Sequence, residues 1–451
     1  MRPSDRDTIV AIATGQGEAA IGIVRLSGPE AVGIASGFFY GSHELIRVED
    51  RRLTYGRFVV GDQDLDEVLV CVMRGSRSFT GEDTVEFNCH GGPLLLRRAM
   101  EALVEAGARP AEPGEFTRRA FLNGRIDLTQ AEAIADMISA GADRGLQSAY
   151  FQLRGGLRTR FEDLAEALRD SLTLLEAGLD FYEDAEVEQD DIRPSLKRAA
   201  EEIERLIASY RHGKVIRDGA VVALAGPPNA GKSSLLNRLL EEERAIVSPV
   251  SGTTRDTIEE SITLDGIRVT LVDTAGIATP RNAIEREGAR RSRKAIARAA
   301  LVLLVVDASV PAAAGLEEMI TGVDPENVVL VKNKNDLGLH ADWAGDHVFQ
   351  VITASALTGD GLDHLRKLVR RRVMVVSEPD SGVVTHARHA EALRRAEDAL
   401  GRATVALDDG LPREVVAVEL REAADALAEI VGEITSDEIL DRIFSTFCIG
   451  K

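Results

Sequence analysis

Lys232 and Ser233 have the types and spacing for phosphate chemistry. They end the pattern G-x-x-x-x-G-K-[ST] in the stretch Gly226–Ser234, GPPNAGKSS. A glycine loop that opens a helix leaves its backbone N–H groups unpaired, so Asn229, Ala230, Gly231, Lys232, Ser233 and Ser234 can surround phosphate oxygens. Lys232 then reaches the terminal phosphates, and the Ser233 hydroxyl binds Mg²⁺. Asp273–Gly276, DTAG, follows about 40 residues on in a sheet of this kind. Its Asp273 can hold the Mg²⁺ hydration shell, and Thr274 and Ala275 lead to Gly276, whose N–H can meet the γ-phosphate. Gly252–Asp256, GTTRD, offers Thr254 as a second hydroxyl ligand to Mg²⁺, although on its own it reads as a polar turn.

Asn333–Asp336, NKND, selects the base. The Asp336 carboxylate accepts from the N1–H and exocyclic amine of guanine, a pair that adenine lacks. Asn333 can bond the base edge while the Lys334 stem covers its face. Ser355–Leu357, SAL, with Ser355 and Ala356, supplies a backbone N–H for the guanine oxygen. These motifs in this order imply a GTP-hydrolysing domain. Small regulatory GTPases place a water-orienting glutamine after the DTAG glycine, but here that position is Ile277. Candidates to replace it are Glu285 and Glu287. Arg286, Arg290, Arg291, Arg293 and Arg298 supply either a charge finger or a solvated helix face.

The elements that must position these groups follow from periodicity. Residues 215–376 alternate strand and helix, with strands at Ala220–Ala225, Thr257–Leu264, Ile267–Val272, Ala300–Val306, Val328–Lys332 and Val348–Thr353. That pattern predicts a mostly parallel sheet covered on both faces. Residues 1–119 read as short β-branched strands with one helix, Leu94–Ala106, an α+β module. Residues 120–214 carry an apolar helical stripe from Leu157 to Leu179, then a helix from Pro194 to about Arg211. Residues 377–451 carry two more stripes, and Thr435 with Glu438 suggests a capping box before the last helix, Ser436–Phe447. The economical architecture is an N-terminal α+β domain, an all-α helical domain built from two chain segments, and an inserted α/β P-loop GTPase domain.

At 451 residues the chain has room for about three domains. A formal charge of −20 excludes a surface that clamps nucleic acid all over, while leaving room for local basic patches. The opening MRPSDRDTIV lacks a signal-peptide pattern, and the longest strongly apolar run, Ala299–Val306, is too short to span a bilayer. Cys71, Cys89 and Cys448 are odd in number without CxxC spacing, which points to a reducing cytoplasm. Cys71, within VLVCVM, is expected in the core.

Further motifs join these: DTIVAIAT at Asp7–Thr14, FTGEDTVE at Phe79–Glu86, HGGP at His90–Pro93, PGEFTRRAFLNGRIDL at Pro113–Leu128, and a terminal FCIGK. With the nucleotide motifs, the chain resembles the MnmE (TrmE) family of tRNA-modification GTPases from end to end. The resemblance implies a folate-binding and dimerising N-terminal domain, and a heterotetramer formed by the homodimer with an MnmG-like, FAD-containing partner. It implies addition of a carboxymethylaminomethyl or aminomethyl group to C5 of the wobble uridine of certain tRNAs, using a formyl- or methylene-tetrahydrofolate carbon.

By position, Arg25, Glu82, Arg125 and Lys451 match the family's folate contacts, with Arg125 in place of the usual lysine. Asn229, Ser248, Val250 and Thr253 match its K⁺ ligands, and a monovalent cation there can supply the charge of an arginine finger. Glu285 matches its water-orienting glutamate. Cys448 matches a cysteine implicated in the modification, and it would act only as thiolate. Pro227 stands where a basic residue is common. The alternative, a ribosome-assembly GTPase, predicts an appended basic or KH-like RNA module. The C-terminal helices show neither GXXG nor net basic character.

Overall fold

The computed structural model describes residues 7–15, 17–180, 191–241, 259–273, 290, 293–345, 347–373 and 382–451. The chain divides into two compact units. One comprises Met1–Ile138, Gln152–Ala200 and Ala392–Lys451; the other comprises Ser139–Phe151 and Glu201–Glu391.

In the first unit, strands β1 (Ile9–Ile12), β2 (Ala19–Ser27), β3 (Phe39–Gly41), β4 (Leu53–Val60), β5 (Gln63–Met73), β6 (Thr84–Gly91) and β7 (Arg109–Pro110) form one sheet. Its order is β3-β4-β5-β6-β2-β1-β7, antiparallel except where β7 runs parallel to β1. Alternation puts Val24, Leu26, Phe58, Val68, Val70, Val72, Val85 and Phe87 on a buried face. Helix Pro93–Glu105 covers that face with Leu96, Ala99 and Leu103. The opposite face is covered at β1 by Phe116 and Ala111 and open at β4 and β5. Register aligns Tyr55 with Leu69, Leu69 with Asn88, and Asn88 with Ile23, and Tyr55 and Leu69 are 60% and 42% exposed. Cys71 shares this face and is only partly buried; the fully covered thiol is Cys89, whose burial pushes its pKa up to about 12.

Helix Glu115–Leu122 buries charge. Arg119 is 2% exposed and meets three carboxylates. Its Nη2 donates to Asp7 Oδ1 at 2.7 Å and Glu115 Oε1 at 3.0 Å, and its Nη1 donates to Glu82 Oε2 at 3.1 Å. Removing one partner of a buried ion cluster leaves the others desolvated and unpaired. Arg119→Met is therefore expected to cost roughly 3–5 kcal/mol in denaturant unfolding of this unit. Arg109→Met, whose guanidinium meets Asp7 and Glu115 but is 33% exposed, is expected to cost clearly less. Equal losses would contradict the ranking.

Asp127 and Gln130 open helix Leu128–Ser139 with reciprocal caps: Gln130 N–H donates to Asp127 Oδ1, and Asp127 N–H to Gln130 Oε1, both at 3.0 Å. The stripe Leu157, Phe161, Leu164, Leu168 and Leu175 is buried on helix Gly156–Asp180. That helix packs along Arg413–Val431, whose Val416, Leu420, Ala423, Leu427 and Ile430 are buried in turn. Helix Arg193–Asp218 runs well past the expected end at Arg211. The last helix is Asp437–Phe444. Its cap is Ser436, whose hydroxyl accepts from Ile439 N–H, so the expected Thr435 cap is corrected by one residue.

In the second unit, β8 (Ala220–Ala225), β9 (Glu259–Leu264), β10 (Ile267–Asp273), β11 (Leu301–Asp307), β12 (Val328–Asn333) and β13 (Gln350–Thr353) lie in the order β13-β12-β11-β8-β10-β9. All neighbours are parallel except β9 and β10, joined by the two-residue Asp265–Gly266 turn. β8, β11 and β12 read as continuous apolar runs because both sheet faces are covered. Among the described residues, no helix is long and apolar enough to cross a membrane.

Candidate functional site

The carboxyl ends of β8, β10, β11 and β12 bring the motif residues together, where a parallel sheet offers a ligand its crevice. After β8 the loop turns through Asn229, in left-handed backbone with φ 63°, and Gly231, then enters helix Lys232–Glu241. Lys232 is 8% exposed and donates to the carbonyls of Gly226 at 3.0 Å and Pro227 at 2.9 Å. Burial holds its ammonium below the usual lysine range, against the raising influence of Asp273. Ser233 Oγ donates to Asp273 Oδ2 at 2.6 Å, so the hydroxyl and carboxylate expected at Mg²⁺ already adjoin. Asp273 Oδ1 is buried and has no hydrogen-bond partner among the described residues. An oxygen pair with one unsatisfied anionic atom fits a hard divalent cation.

The base loops are assembled around Asn333, which is 1% exposed. Its Nδ2 donates to the Ala230 carbonyl at 2.8 Å, and its Oδ1 accepts from Ala356 N–H at 3.0 Å. One amide thus ties the phosphate loop to the SAL loop. Gly231 has to be glycine for this. Its φ is 88°, and an ideal Cβ there would stand 2.3 Å from Asn333 Nδ2. Ser355 Oγ donates to Asp336 Oδ1 at 2.5 Å, fixing the direction of the second carboxylate oxygen. Lys334 Nζ donates to Asp307 Oδ2 at 2.6 Å.

A second cluster forms in the first unit, where the C-terminal tail meets the sheet. Phe116 N–H donates to the Lys451 carbonyl at 3.1 Å, Gly114 N–H to the Cys448 carbonyl at 3.4 Å, and Pro113 bridges Ile449. Gly450, with φ 95°, passes so close that a Cβ would lie 2.4 Å from the Ile12 carbonyl. Arg25 donates to Glu86 Oε1 at 2.7 Å and to the Gly450 carbonyl at 3.4 Å, with its guanidinium over the Phe116 ring. Two residues along β2, Ser27 donates to Glu82 Oε2 at 2.8 Å. Arg125 lies against the same turn, its Cγ 3.3 Å from the Cβ that Gly81 would carry. Arg25, Glu82, Arg125 and Lys451 therefore gather at one edge of the unit, with the exposed Cys448 beside the last of them.

Residues 8–125 match a model of the GTP-binding protein TrmE N-terminus, and residues 128–448 a model of the MnmE helical domain. Proteins described as tRNA modification GTPase MnmE are similar over 99% of this chain and 99% of their own lengths. They include those of Moorella thermoacetica (43% identical), Symbiobacterium thermophilum (44%) and Roseiflexus sp. (45%). The chain belongs to the MnmE family of tRNA modification GTPases. In this MnmE-family chain, Ser248, Val250, Thr253, Thr254, Thr274, Ala275, Gly276 and Glu285 lie outside the described residues, as does Ile277.

Arg119, Ser27 and Asp307 were not singled out as site residues by the sequence. Arg119 and Ser27 hold Glu82, and Asp307 holds Lys334. For Asp307 a signal existed, since a carboxylate closes the apolar run VLLVVD at a parallel strand's carboxyl end. For Arg119 the local signal was only the i,i+4 pair with Glu115, since its other partners Asp7 and Glu82 are remote in sequence.

Proposed function

We propose that this MnmE-family chain hydrolyses GTP to drive the addition of a carboxymethylaminomethyl or aminomethyl group to C5 of the wobble uridine of certain tRNAs. The observation that carries the nucleotide half is the Asn333 side chain joining phosphate and base loops in one preformed site. Asp336, with Lys334, Asn333 and the Ser355–Ala356 backbone, takes guanine; the loop Asn229–Ser234 takes the phosphates. Ser233 and Asp273, with Thr254, hold Mg²⁺, which neutralises charge on the phosphate oxygens when bound. Lys232 exchanges its two carbonyl partners for phosphate oxygens, and the added negative charge favours its ammonium. Thr274, Ala275 and Gly276 border the γ-phosphate, and Glu285 orients water in place of a glutamine at Ile277.

Asn229, Ser248, Val250 and Thr253 are assigned to K⁺, in support of which Asn229 stands exposed and in left-handed backbone within the phosphate loop. GTP hydrolysis is expected to run at least about tenfold faster in KCl than in NaCl at equal ionic strength. Equal rates would remove the K⁺ assignment and leave the GTPase assignment intact.

Arg25, Glu82, Arg125 and Lys451 are assigned to a reduced folate. Their mix of cationic donors and one carboxylate suits a ligand with acidic groups and an amino-pyrimidinone edge, and the reading is supported by the tail that carries Cys448 docking on Arg25 and Gly114. The open face carrying Tyr55, Leu69, Leu53 and Ile21 is apolar enough to pair with a second copy, giving a homodimer. We read the domains as 1–119, 120–214 with 377–451, and an inserted G domain at 215–376, acting in the cytoplasm with an MnmG-like FAD-containing partner in a heterotetramer.

A further inference from the structure

The lysine of the base site has a partner outside the nucleotide motifs. Lys334 stands in left-handed backbone with φ 61°, a conformation a non-glycine residue keeps only when its surroundings fix it. Its Nζ donates to Oδ2 of Asp307, the last residue of β11, at 2.6 Å. Asp307 is fixed in turn, because its Oδ1 accepts from the Ser309 N–H at 3.0 Å and from the Ser309 hydroxyl at 2.6 Å. Burial pushes the Asp307 carboxyl up, but Lys334 and Ser309 more than offset this and hold it below the usual range. The backbone closes the same joint, with Ala308 N–H donating to the Asn333 carbonyl at 2.9 Å. The lysine stem passes over the phosphate loop, its Cε 4.0 Å from the Cβ that Gly231 would carry.

A lysine stem is rotamer-rich, and an ammonium left to water draws the methylenes away with it. Anchored at its far end, the stem stays where the face of a base must lie. We infer that Asp307 is a positioning residue for guanine nucleotides, holding Lys334 so that its methylene stem forms one wall of the base site. This rests on the guanine reading of NKND. The anchor acts on the wall of the base, which GDP and GTP share, so it acts on both alike, and its loss falls on KM rather than kcat.

The test is titration of the full-length protein with a fluorescent GDP analogue, using Asp307→Asn, Lys334→Met and the double variant. Asp307→Asn is expected to weaken binding about tenfold, the scale of a lost charge-assisted hydrogen bond. In the Lys334→Met background, which keeps an unbranched stem but no ammonium, the same change is expected to have almost no effect. Ser309→Ala, a milder change that loosens Asp307, is expected to weaken binding about two- to threefold, again only when Lys334 is present. Additive losses in the double variant would overturn the inference, because a general disturbance of the loop does not depend on the ammonium. So would undiminished binding by Asp307→Asn. If the unaltered protein failed to prefer the GDP analogue over its ADP counterpart, the guanine reading itself would fall, and the inference with it.

Discussion

Replacing Asp336 with Asn is expected to lower GTP affinity by on the order of 10³-fold or more, the scale on which a site built for a hydrogen-bonded group rejects its mismatch. The carboxylate accepts from two N–H donors of guanine. An amide turns one acceptor into a donor, which then faces the exocyclic amine with no partner. The loop itself should persist, because Asn can keep the oxygen that accepts from Ser355 Oγ, now 2.5 Å from Asp336 Oδ1. Xanthine carries an oxygen where guanine carries the amine, so Asp336→Asn should prefer xanthosine triphosphate. Competition of the two triphosphates against a fluorescent nucleotide measures the switch. Retained GTP preference would show that Asp336 does not read the base.

Lys232→Ala is expected to reduce single-turnover GTP hydrolysis by about 10²–10³-fold, the usual cost of one preorganised electrostatic donor. Its ammonium is already desolvated and held on two carbonyls of the loop, so little reorganisation is needed when phosphate arrives. Lys232→Arg should not restore the rate. A planar guanidinium cannot occupy the place of a compact ammonium 3.0 and 2.9 Å from Gly226 and Pro227 carbonyls. Hydrolysis by the alanine variant within tenfold of the unaltered protein would contradict this role.

The parts of this fold legible in the sequence are those whose signal is local. β8 is bounded by Gly219 and Gly226, and its observed limits are those its sequence predicts, because a fully covered strand shows as an unbroken apolar run. The motifs at Gly226–Ser234 and Asn333–Asp336 were legible because fixed spacing encodes their loops. β7 was not, since two residues, Arg109 and Pro110, carry no period and exist as a strand only through pairing with β1. Helix Glu115–Leu122 hid its role for another reason: its buried face carries charge, and two of the three carboxylates that neutralise Arg119 come from distant segments. The tie from Asn333 to Ala230 reaches across the end of β11 and leaves no trace in sequence spacing, yet it makes two motifs into one site. The Thr435 cap failed by one residue because Ser436 offers the same hydroxyl nearer the helix.

The most direct test is mass spectrometry of tRNA nucleosides from cells lacking this protein, complemented with the unaltered chain or with Lys232→Ala. The account predicts that the C5 groups disappear from wobble uridines, return with the unaltered chain, and stay absent with Lys232→Ala. Unaltered wobble uridines in the deletion, or full restoration by Lys232→Ala, would contradict it.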